Sequence, residues 1–298
     1  KDIPSSPSMF EVLELEEKIQ HHFVDIRNYE ELHNIIDTQK PDFIFHLAAQ
    51  PIVSTSYEDP IETISSNVIG TTNVLESLRH SNHECTAILI TSDKAYDNIE
   101  QIWGYKEDDA MGGKDIYSGS KGAAELIIKS YYHSFFKLDK SNIRLAIARA
   151  GNVIGGGDWA KDRIVVDAMI AWSKGDKVEI RSPNATRPWQ HVLEPLSGYL
   201  HLGQKLNANL DLHGEGFNFG PRAEQNRTVI ELLEDSAKSW GFKAEEAYTI
   251  TDNIKFHEAG LLKLNCDKAL SYIDWYANLK YSETISFTSE WYVDFYSE

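Results

Sequence analysis

Basic residues and cysteines are scarce in this chain. It carries 29 lysines and arginines against 46 acidic residues, a formal charge of −17 over 298 residues. No cluster of lysines and arginines offsets this excess, so we expect neither a nucleic-acid partner nor a membrane partner. The two cysteines, Cys85 and Cys266, lie far apart and outside any CxxC spacing, which argues against a disulfide framework or a structural zinc site. A reducing cytoplasm fits this composition.

Long hydrophobic runs are also missing. The longest uninterrupted apolar stretches are a few residues long, whereas a membrane-spanning helix needs about 20. The first residues, Lys1 to Pro4, begin no signal peptide, so we expect a soluble protein that is not secreted. His46, His191 and His257 have no metal-ligand spacing to one another, and no metal site is expected. The chain does have 42% hydrophobic residues, enough for two domains that share one cleft.

Apolar runs and helical spacing alternate through the first half of the chain. Strands are predicted at residues 22–26, 41–49, 85–90 and 143–150, and helices at residues 28–38, 60–80 and 117–136. This alternation is typical of an α/β fold with a Rossmann-like, doubly wound parallel sheet. After Gly151 the elements shorten, with helices predicted at 195–205, 228–240 and 282–296 and a strand at 217–220. We therefore expect a Rossmann-like domain over 1–150, which also receives parts of 185–215, and a smaller mixed α/β domain over 151–298.

The apolar run at residues 87–90 ends abruptly in four polar residues, Thr91-Ser92-Asp93-Lys94. In a parallel sheet, ligands bind at the carboxyl ends of the strands, so this segment is a candidate site. Ser and Asp also favour helix-capping turns, which is the alternative interpretation. The segment shares its predicted sheet edge with Tyr117, which favours a site.

Tyr117 and Lys121 are four residues apart in a predicted helix and therefore share one face. A lysine beside a tyrosine favours the phenolate, so this pair can supply a base, and Ser92 can hold a substrate oxygen during proton and hydride transfer. Most tyrosine–lysine pairs with this spacing lie on helix surfaces without a catalytic role, and the pair gains weight only from its context.

Three further features bear on ligand binding. The apolar run at 41–49 closes on small residues, which let a cofactor approach the backbone. The run Gly155-Gly156-Gly157 is either a flexible turn or a loop over a phosphorylated ligand. Arg187 either stacks on Trp189 or clamps a diphosphate with its planar guanidinium.

Several longer segments resemble one family. They are His46-Leu47-Ala48-Ala49-Gln50, Asn67-Val68-Ile69-Gly70-Thr71, the Tyr117 and Lys121 pair, and a hydroxyl residue followed by an acid at a strand end. Together they resemble the extended short-chain dehydrogenase/reductases that act on nucleotide sugars. Within that family, residues 91–94, 150–159 and 187–195 are similar to the branch of 4,6-dehydratases that act on CDP-glucose. The resemblance runs from about Asp2 to the C-terminus, with the motifs in the same order.

The resemblance implies an NAD-dependent internal redox dehydration of CDP-D-glucose to CDP-4-dehydro-6-deoxy-D-glucose. In such an enzyme Tyr117, assisted by Lys121, would take the proton of the 4-hydroxyl while hydride passes from C4 to NAD. Ser92 would hold the same oxygen. Lys94 would be the candidate base for the C5 proton, and a protonated Asp93 would donate to the departing 6-hydroxyl.

The same resemblance implies two sets of binding residues and an oligomer. NAD would contact Asp2, Asp25, Ile26, Leu47, Ala48, Ala49, Asn67, Thr91, Tyr117 and Lys121. The substrate would contact Gln50, Asn152, Arg163, Arg187 and Asn218. The family suggests a homodimer, or a dimer of dimers, formed through the helices that begin near Pro60 and Tyr117.

The chain departs from the family pattern in two places. The family opens with a strand, a glycine-rich GxxGxxG turn on the first helix and a second strand, and this sequence begins just after them. If the molecule starts at Lys1, we expect weak NAD retention, because a helix N-terminus is the usual pyrophosphate site. The second departure is Lys94, where most sugar-nucleotide dehydratases carry glutamate and the CDP-glucose branch carries lysine.

Two alternatives remain open at this point. A 4-epimerase would use the same serine, tyrosine and lysine, although Asp93 argues against it because epimerisation needs no acid at the 6-hydroxyl. A dinucleotide-binding protein without turnover would keep the fold; the intact Ser92, Tyr117 and Lys121 argue against that, whereas the missing glycine-rich segment argues for it.

Overall fold

The computed structural model describes residues 5–138, 141–251 and 260–297, so Asp2 and His257 lie outside the described residues. Its strands are β1 Phe43–His46, β2 Cys85–Ile90, β3 Ile143–Ala150, β4 Val153–Ile154, β5 Val178–Ile180, β6 Thr186–Arg187, β7 Gln190–His191, β8 Gly216–Phe219, β9 Arg227–Thr228 and β10 Tyr248–Ile250. Its α-helices are α1 Met9–Val12, α2 Tyr29–Gln39, α3 Val53–Glu58, α4 Pro60–Ile64, α5 Gly70–Arg79, α6 Ile116–Tyr131, α7 Ile164–Trp172, α8 Leu193–Ala208, α9 Val229–Ala237, α10 Ala244–Ala247, α11 Asp267–Ile273 and α12 Tyr281–Ser297.

The main sheet has four parallel strands in the order β1-β2-β3-β8. Strands β2 and β3 pair from Cys85 opposite Ile143 to Ile90 opposite Ala148. All four strands therefore end at one edge of the sheet, where the chain continues into the segments beginning at Leu47, Thr91, Gly151 and Gly220. The predicted parallel α/β sheet is confirmed, and this edge is where ligands bind in such folds.

Helices cover both faces of this sheet. On one face α2, α5 and α6 pack on alternate residues of β2 and β3, with Leu75 and Ile128 in contact with Leu145 and its neighbours. On the other face α8 and α11 pack on Ala146, Phe217 and the remaining alternate residues. Strands buried on both sides explain why the runs at 85–90 and 143–150 are almost continuously apolar.

A second core lies beyond the sheet edge. It joins α7, β5, α9 and α12 around Met169, Trp172, Leu232 and Tyr292. The predicted division near residue 150 thus corresponds to two cores, although α8, β8 and α11 from the second half pack in the first core. The exact division between domains stays a prediction.

Two local predictions need correction. Residues 22–26 form no strand and run as irregular chain before α2, because within the described residues no neighbouring strand pairs with them. The predicted helix at 60–80 is continuous but contains one π-helical turn, Ser65–Ile69, which separates α4 from α5 and carries Asn67. π-Turns are frequent at functional sites because the extra residue redirects side chains.

The glycine-rich loop owes its composition to packing. A Cβ atom on Gly156 would lie 2.2 Å from Trp291, and one on Gly157, at φ +80°, would lie 2.0 Å from Met9. The backbone of Asp158 is held by the Tyr292 hydroxyl, which donates to its carbonyl at 2.6 Å. Of the three glycines, Gly155 alone lines the main cavity, and a role of the run in covering a phosphorylated ligand stays a prediction.

Candidate active site

A cavity of about 510 Å³ lies at the carboxyl edge of the sheet, between the two cores. Its walls come from the ends of β2 and β3, the first turns of α6 and α7, and the segment after β5. Seven residues predicted for the site from the sequence line it together with Thr91: Ser92, Asp93, Lys94, Tyr117, Asn152, Arg163 and Arg187. Segments more than 90 residues apart in the chain thus converge on one space.

The polar segment after β2 is both a capping turn and a cavity wall. Ser92 caps a short 3₁₀ turn, Asp93–Ala95, and its Oγ atom accepts a hydrogen bond from the Lys94 amide at 3.2 Å. The same hydroxyl donates to Asp93 Oδ1 at 3.1 Å. The two interpretations of this segment are therefore compatible, because the cap fixes the direction in which Ser92 and Asp93 face the cavity.

Tyr117 sits in the first turn of α6, where a cap fixes its position. The carboxylate of Asp115 accepts hydrogen bonds from the amide and the hydroxyl of Ser118, at 2.9 and 2.7 Å. Burial raises the pKa of Tyr117 to about 12, while its hydrogen bond with Ser92 lowers the pKa in part. The positive charge of Arg163 acts in the same lowering direction.

Lys121 lies one turn further along α6 and is also buried. Burial lowers the pKa of Lys121 to about 8, and the charge of Glu125 raises it in part. Its Nζ atom lies 5.9 Å from the centre of the Tyr117 ring. The expected lowering of the Tyr117 pKa by Lys121 is not seen, because the desolvation of the phenolate outweighs a charge at this distance.

Asp93 has the environment of a proton donor. Its side chain is 4% exposed, and its Oδ2 atom has no hydrogen-bond partner among the described residues. Burial raises the pKa of Asp93, against the lowering effects of the Lys94 charge and the Ser92 hydrogen bond. Burial therefore disfavours ionisation of this carboxyl group, as the role of a proton donor requires.

Three cavity residues have no counterpart in the sequence-based predictions. Tyr199, on α8, is buried beside Asp93, and burial followed by the Asp93 charge raises its pKa. Asp167, on α7, has its pKa raised to about 6 by burial and by the charge of Asp162. Arg181 follows β5 and partly offsets that effect. No motif marks these residues, because each faces the cavity only through the packing of its own element.

The two predicted phosphate-binding arginines lie on the cavity wall with different partners. Arg163 Nη1 is 3.3 Å from the carboxylate of Asp158. Arg187 is buried, donates to the Thr186 carbonyl at 2.9 Å, and its charge reaches Asp93. Asn152 precedes both arginines in the chain and lines the same cavity, on the loop that joins β3 to β4.

Two predicted substrate residues lie elsewhere. Asn218 is fully buried inside β8, where its side chain accepts from the Tyr96 hydroxyl at 2.8 Å and donates to the carbonyls of Tyr105 and Asn265. The side chain of Gln50 is bonded within its own loop and to Thr63. Neither residue lines the main cavity, and contact of either with the substrate stays a prediction.

Asn67 joins the end of β1 to the helix that carries Tyr117. Its amide accepts from the Gln50 amide at 2.8 Å and donates to Ser120 at 2.9 Å. Because Ser120 belongs to α6, Asn67 positions the loop at 47–50 against the start of that helix. Contact with a cofactor stays a prediction for Asn67.

A second cavity, of about 220 Å³, lies beside β1, where the predicted NAD-binding residues are expected. Ile26, Leu47 and Ala48, all predicted to contact NAD, line it, and its walls are almost entirely apolar. Such walls suit a flat ring such as a nucleobase. Ala49 lies at the same strand end. The carboxylate of Asp25 is bonded to Arg27 at 2.5 Å, which holds the Asp25 pKa at about 2.

Comparisons with known proteins place the chain among nucleotide-sugar dehydratases. A family model described as GDP-mannose 4,6 dehydratase matches residues 8–288. The chain is 44% identical over 295 residues to the CDP-glucose 4,6-dehydratase of Salmonella typhimurium (strain LT2), covering 98% of this chain and 81% of that protein. The resemblance to nucleotide-sugar dehydratases is therefore confirmed.

Solved structures show the same fold at lower identity. The UDP-glucuronic acid 4-epimerase of Bacillus cereus, in complex with UDP-glucuronic acid and NAD, superposes with a TM-score of 0.81 at 20% identity, covering 96% of this chain and 85% of that one. The dTDP-glucose 4,6-dehydratase of Bacillus anthracis, in complex with NAD, superposes with a TM-score of 0.76 at 20% identity, covering 95% and 84%. The match to the family model over most of its length shows that this chain belongs to the GDP-mannose 4,6 dehydratase family.

Proposed function

We propose that this protein is an NAD-dependent lyase that converts CDP-D-glucose into CDP-4-dehydro-6-deoxy-D-glucose and water, as a step in deoxysugar biosynthesis. The observation that carries the proposal is the 44% identity, over 98% of the chain, to a protein named for that activity. The main cavity supports it, because Ser92, Asp93, Lys94 and Tyr117 line one space.

In this reaction Tyr117 and Ser92 act at the 4-hydroxyl of the sugar. Both side chains line the cavity, so a sugar hydroxyl placed there would give its proton to the phenolate form of Tyr117 while Ser92 donates a hydrogen bond to the same oxygen. NAD, when bound, would supply the hydride acceptor for C4 and afterwards the hydride donor for C6, so that the net change is loss of water, and the groups proposed to hold it are Ile26, Leu47, Ala48 and Thr91. Lys121 supplies a positive charge behind Tyr117.

Loss of water then needs a base at C5 and an acid at the 6-hydroxyl. A ketone at C4 acidifies the neighbouring C5 proton, and Lys94 is the group we propose to remove it. Asp93, buried and resistant to ionisation, gives its proton to the departing 6-hydroxyl. The two roles fall on adjacent residues of one turn, which faces the cavity from the end of β2.

The substrate's diphosphate is proposed to lie against Arg163 and Arg187. Both line the cavity and carry the planar guanidinium that pairs with phosphate oxygens. Asn152 would contact the same part of the nucleotide. The net charge of the chain makes these local arginines necessary for an anionic substrate.

We further propose a homodimer that works in the cytoplasm. Exposed apolar residues on the packed helices α4 and α6, Ile61, Ile64 and Leu126, support a protein contact there. Cys85 and Cys266 are unpaired, which suits a reducing compartment. Within the described residues no helix is both long and apolar enough to cross a bilayer.

Sedimentation tests the proposed dimer contact through α4 and α6. A monomeric Leu126→Glu variant would support this contact, and an unchanged dimer would contradict it.

Incubation with CDP-glucose, dTDP-glucose and GDP-mannose, each with NAD, tests the function. We expect a 4-keto sugar, detected by its ultraviolet absorbance in alkali, from CDP-glucose and from neither other substrate. Activity with another nucleotide alone would contradict the CDP assignment, and a product that keeps its 6-hydroxyl would indicate an epimerase. For the base, Lys94→Ala is expected to stop exchange of the C5 proton with deuterium, and normal exchange would remove Lys94 from that role.

A further inference from the structure

A buried ion pair joins the elements that carry the main cavity's polar groups. Glu125 on α6 and Arg149 on β3 are both fully buried, and they make two parallel hydrogen bonds, Nε to Oε1 and Nη2 to Oε2, each 2.7 Å long. Thr91, at the end of β2, donates to the same Oε1 atom at 2.6 Å. We call Thr91, Glu125 and Arg149 the clamp.

The three clamp residues lie on three elements that carry site residues, namely the end of β2, helix α6 and strand β3. Thr91 directly precedes Ser92 and Asp93, Glu125 lies one helical turn after Lys121, and Arg149 is the last residue but one of β3. The third arm of Arg149 donates to the Tyr96 hydroxyl at 2.6 Å and to the Glu107 carbonyl at 3.1 Å. Four of the five N–H groups of Arg149 are thus bonded to Glu125, Tyr96 and Glu107.

Stability alone does not require an ion pair at this place. Two charges removed from water lose several kcal/mol of hydration each, and apolar residues of similar volume are often as stable or more so. A bidentate pair does fix distance and angle, which an apolar contact does not. The pair also places a carboxylate one turn from a buried ammonium.

We propose that Glu125 and Arg149 are positioning residues of the active site, which hold Ser92 in register with Tyr117 and place a negative charge beside Lys121. This inference rests on the proposed function. Glu125 is expected to favour the protonated form of Lys121, against the effect of burial.

The other groups around Lys121 do not replace Glu125. Tyr117, on the same helix, is neutral because burial raises its pKa to about 12. His46, at the end of β1, is neutral because burial and then the charge of Lys121 lower its pKa to about 4. Arg149 carries the same sign of charge as Lys121. Burial raises the pKa of Asp93, on the turn that packs against α6, which disfavours its charged form.

Titration of Lys121 in the ligand-free protein, followed by the NMR signal of its labelled ε-carbon, tests the electrostatic part. Burial and Glu125 together set the wild-type pKa at about 8. The double variant Glu125→Leu/Arg149→Met removes the pair without leaving a single charge, and its transition should fall by about one pH unit or more. Glu125→Gln, which leaves Arg149 charged, should fall further if it folds. An unchanged transition in a folded double variant would overturn this part.

The pH profile of CDP-glucose conversion tests the positioning part. We expect the alkaline limb of kcat/KM to move to lower pH in the double variant and kcat at its optimum to fall by roughly tenfold or more, with KM little changed. Thr91→Val should lower kcat without moving that limb. Glu76→Leu/Arg79→Met, which removes a half-exposed ion pair on α5, is the matched control and should change neither.

The two tests separate the inference from the proposed function. If the protein did not convert CDP-glucose, the NMR titration would still decide whether Glu125 sets the protonation of Lys121. If it did convert CDP-glucose and the folded double variant kept the wild-type profile, the clamp would have no positioning role.

Discussion

Replacing Lys121 by methionine is expected to stabilise the fold while abolishing activity. Methionine fills a similar volume without a charge, so it avoids the cost of a buried ammonium. Burial lowers the pKa of Lys121 from its ordinary 10.5 to about 8. At about 1.36 kcal/mol per pH unit, this difference corresponds to roughly 3 kcal/mol, an upper limit for the gain at neutral pH.

The expected gain in free energy of unfolding from Lys121→Met depends on pH. Below pH 8 Lys121 is protonated in both the folded and the unfolded state, so the wild type carries the full cost. Between about 8 and 10.5 the unfolded state binds more protons than the folded state, so wild-type stability rises with pH. The advantage of Lys121→Met should therefore be largest at pH 7 and should shrink steadily above pH 8.

Urea unfolding at pH 7 and pH 9.5 measures this effect. Lys129→Met is the matched control, because Lys129 lies on the same helix and is only half-buried. We expect Lys121→Met to exceed the wild type in free energy of unfolding at pH 7 by about 1 to 3 kcal/mol, and by less at pH 9.5. A less stable variant at pH 7, or a difference in stability that does not change with pH, would show that burial of the charged Lys121 does not destabilise the fold.

Three other substitutions have definite expected outcomes. Asp93→Asn should cut formation of the 6-deoxy product by about 100-fold or more, because it removes the proton donor, and chromatography of the sugar nucleotides would detect it. Asp167→Asn should raise the free energy of unfolding by up to about 3 kcal/mol above pH 6, and this gain should vanish as the pH falls toward 3.8, because Asp167 is then protonated in both the folded and the unfolded state. Urea unfolding at pH 8 and pH 4 would measure the gain, and an equal gain at both pH values would contradict the prediction. Gly156→Ala should destabilise by about 1 to 3 kcal/mol in thermal unfolding, because its Cβ would overlap Trp291. Gly119→Ala, which meets nothing within 4 Å, is the control and should be neutral or stabilising.

The sequence predicts best where one local signal dominates. Strands β2 and β3 lie within the predicted bounds, because strands buried on both faces are continuous apolar runs with polar ends. Helix α7 was not predicted, since it is apolar on nearly all sides and has no helical periodicity of its own. Periodicity identifies amphipathic elements, whereas an element buried all round is recognisable only from its neighbours.

The site was predicted from residue types, and residue type does not fix the direction of a side chain. Ser92, Asp93 and Tyr117 share the cavity because strand ends and helix starts share one sheet edge. Asn218 also ends a strand, but its side chain is directed into a buried network around Arg149. Glu125 and Arg149 were missed because a contact between residues 24 positions apart leaves no sequence pattern.

The fate of the hydrogen at C4 of the sugar tests the proposed reaction most directly. CDP-glucose labelled with deuterium at C4 would be converted by the protein in the presence of NAD, and the product analysed by NMR. We expect the deuterium to appear at C6 of the 4-keto-6-deoxy sugar and the oxygen at C6 to be lost. Deuterium retained at C4, or lost to solvent with the 6-hydroxyl intact, would contradict an internal redox dehydration.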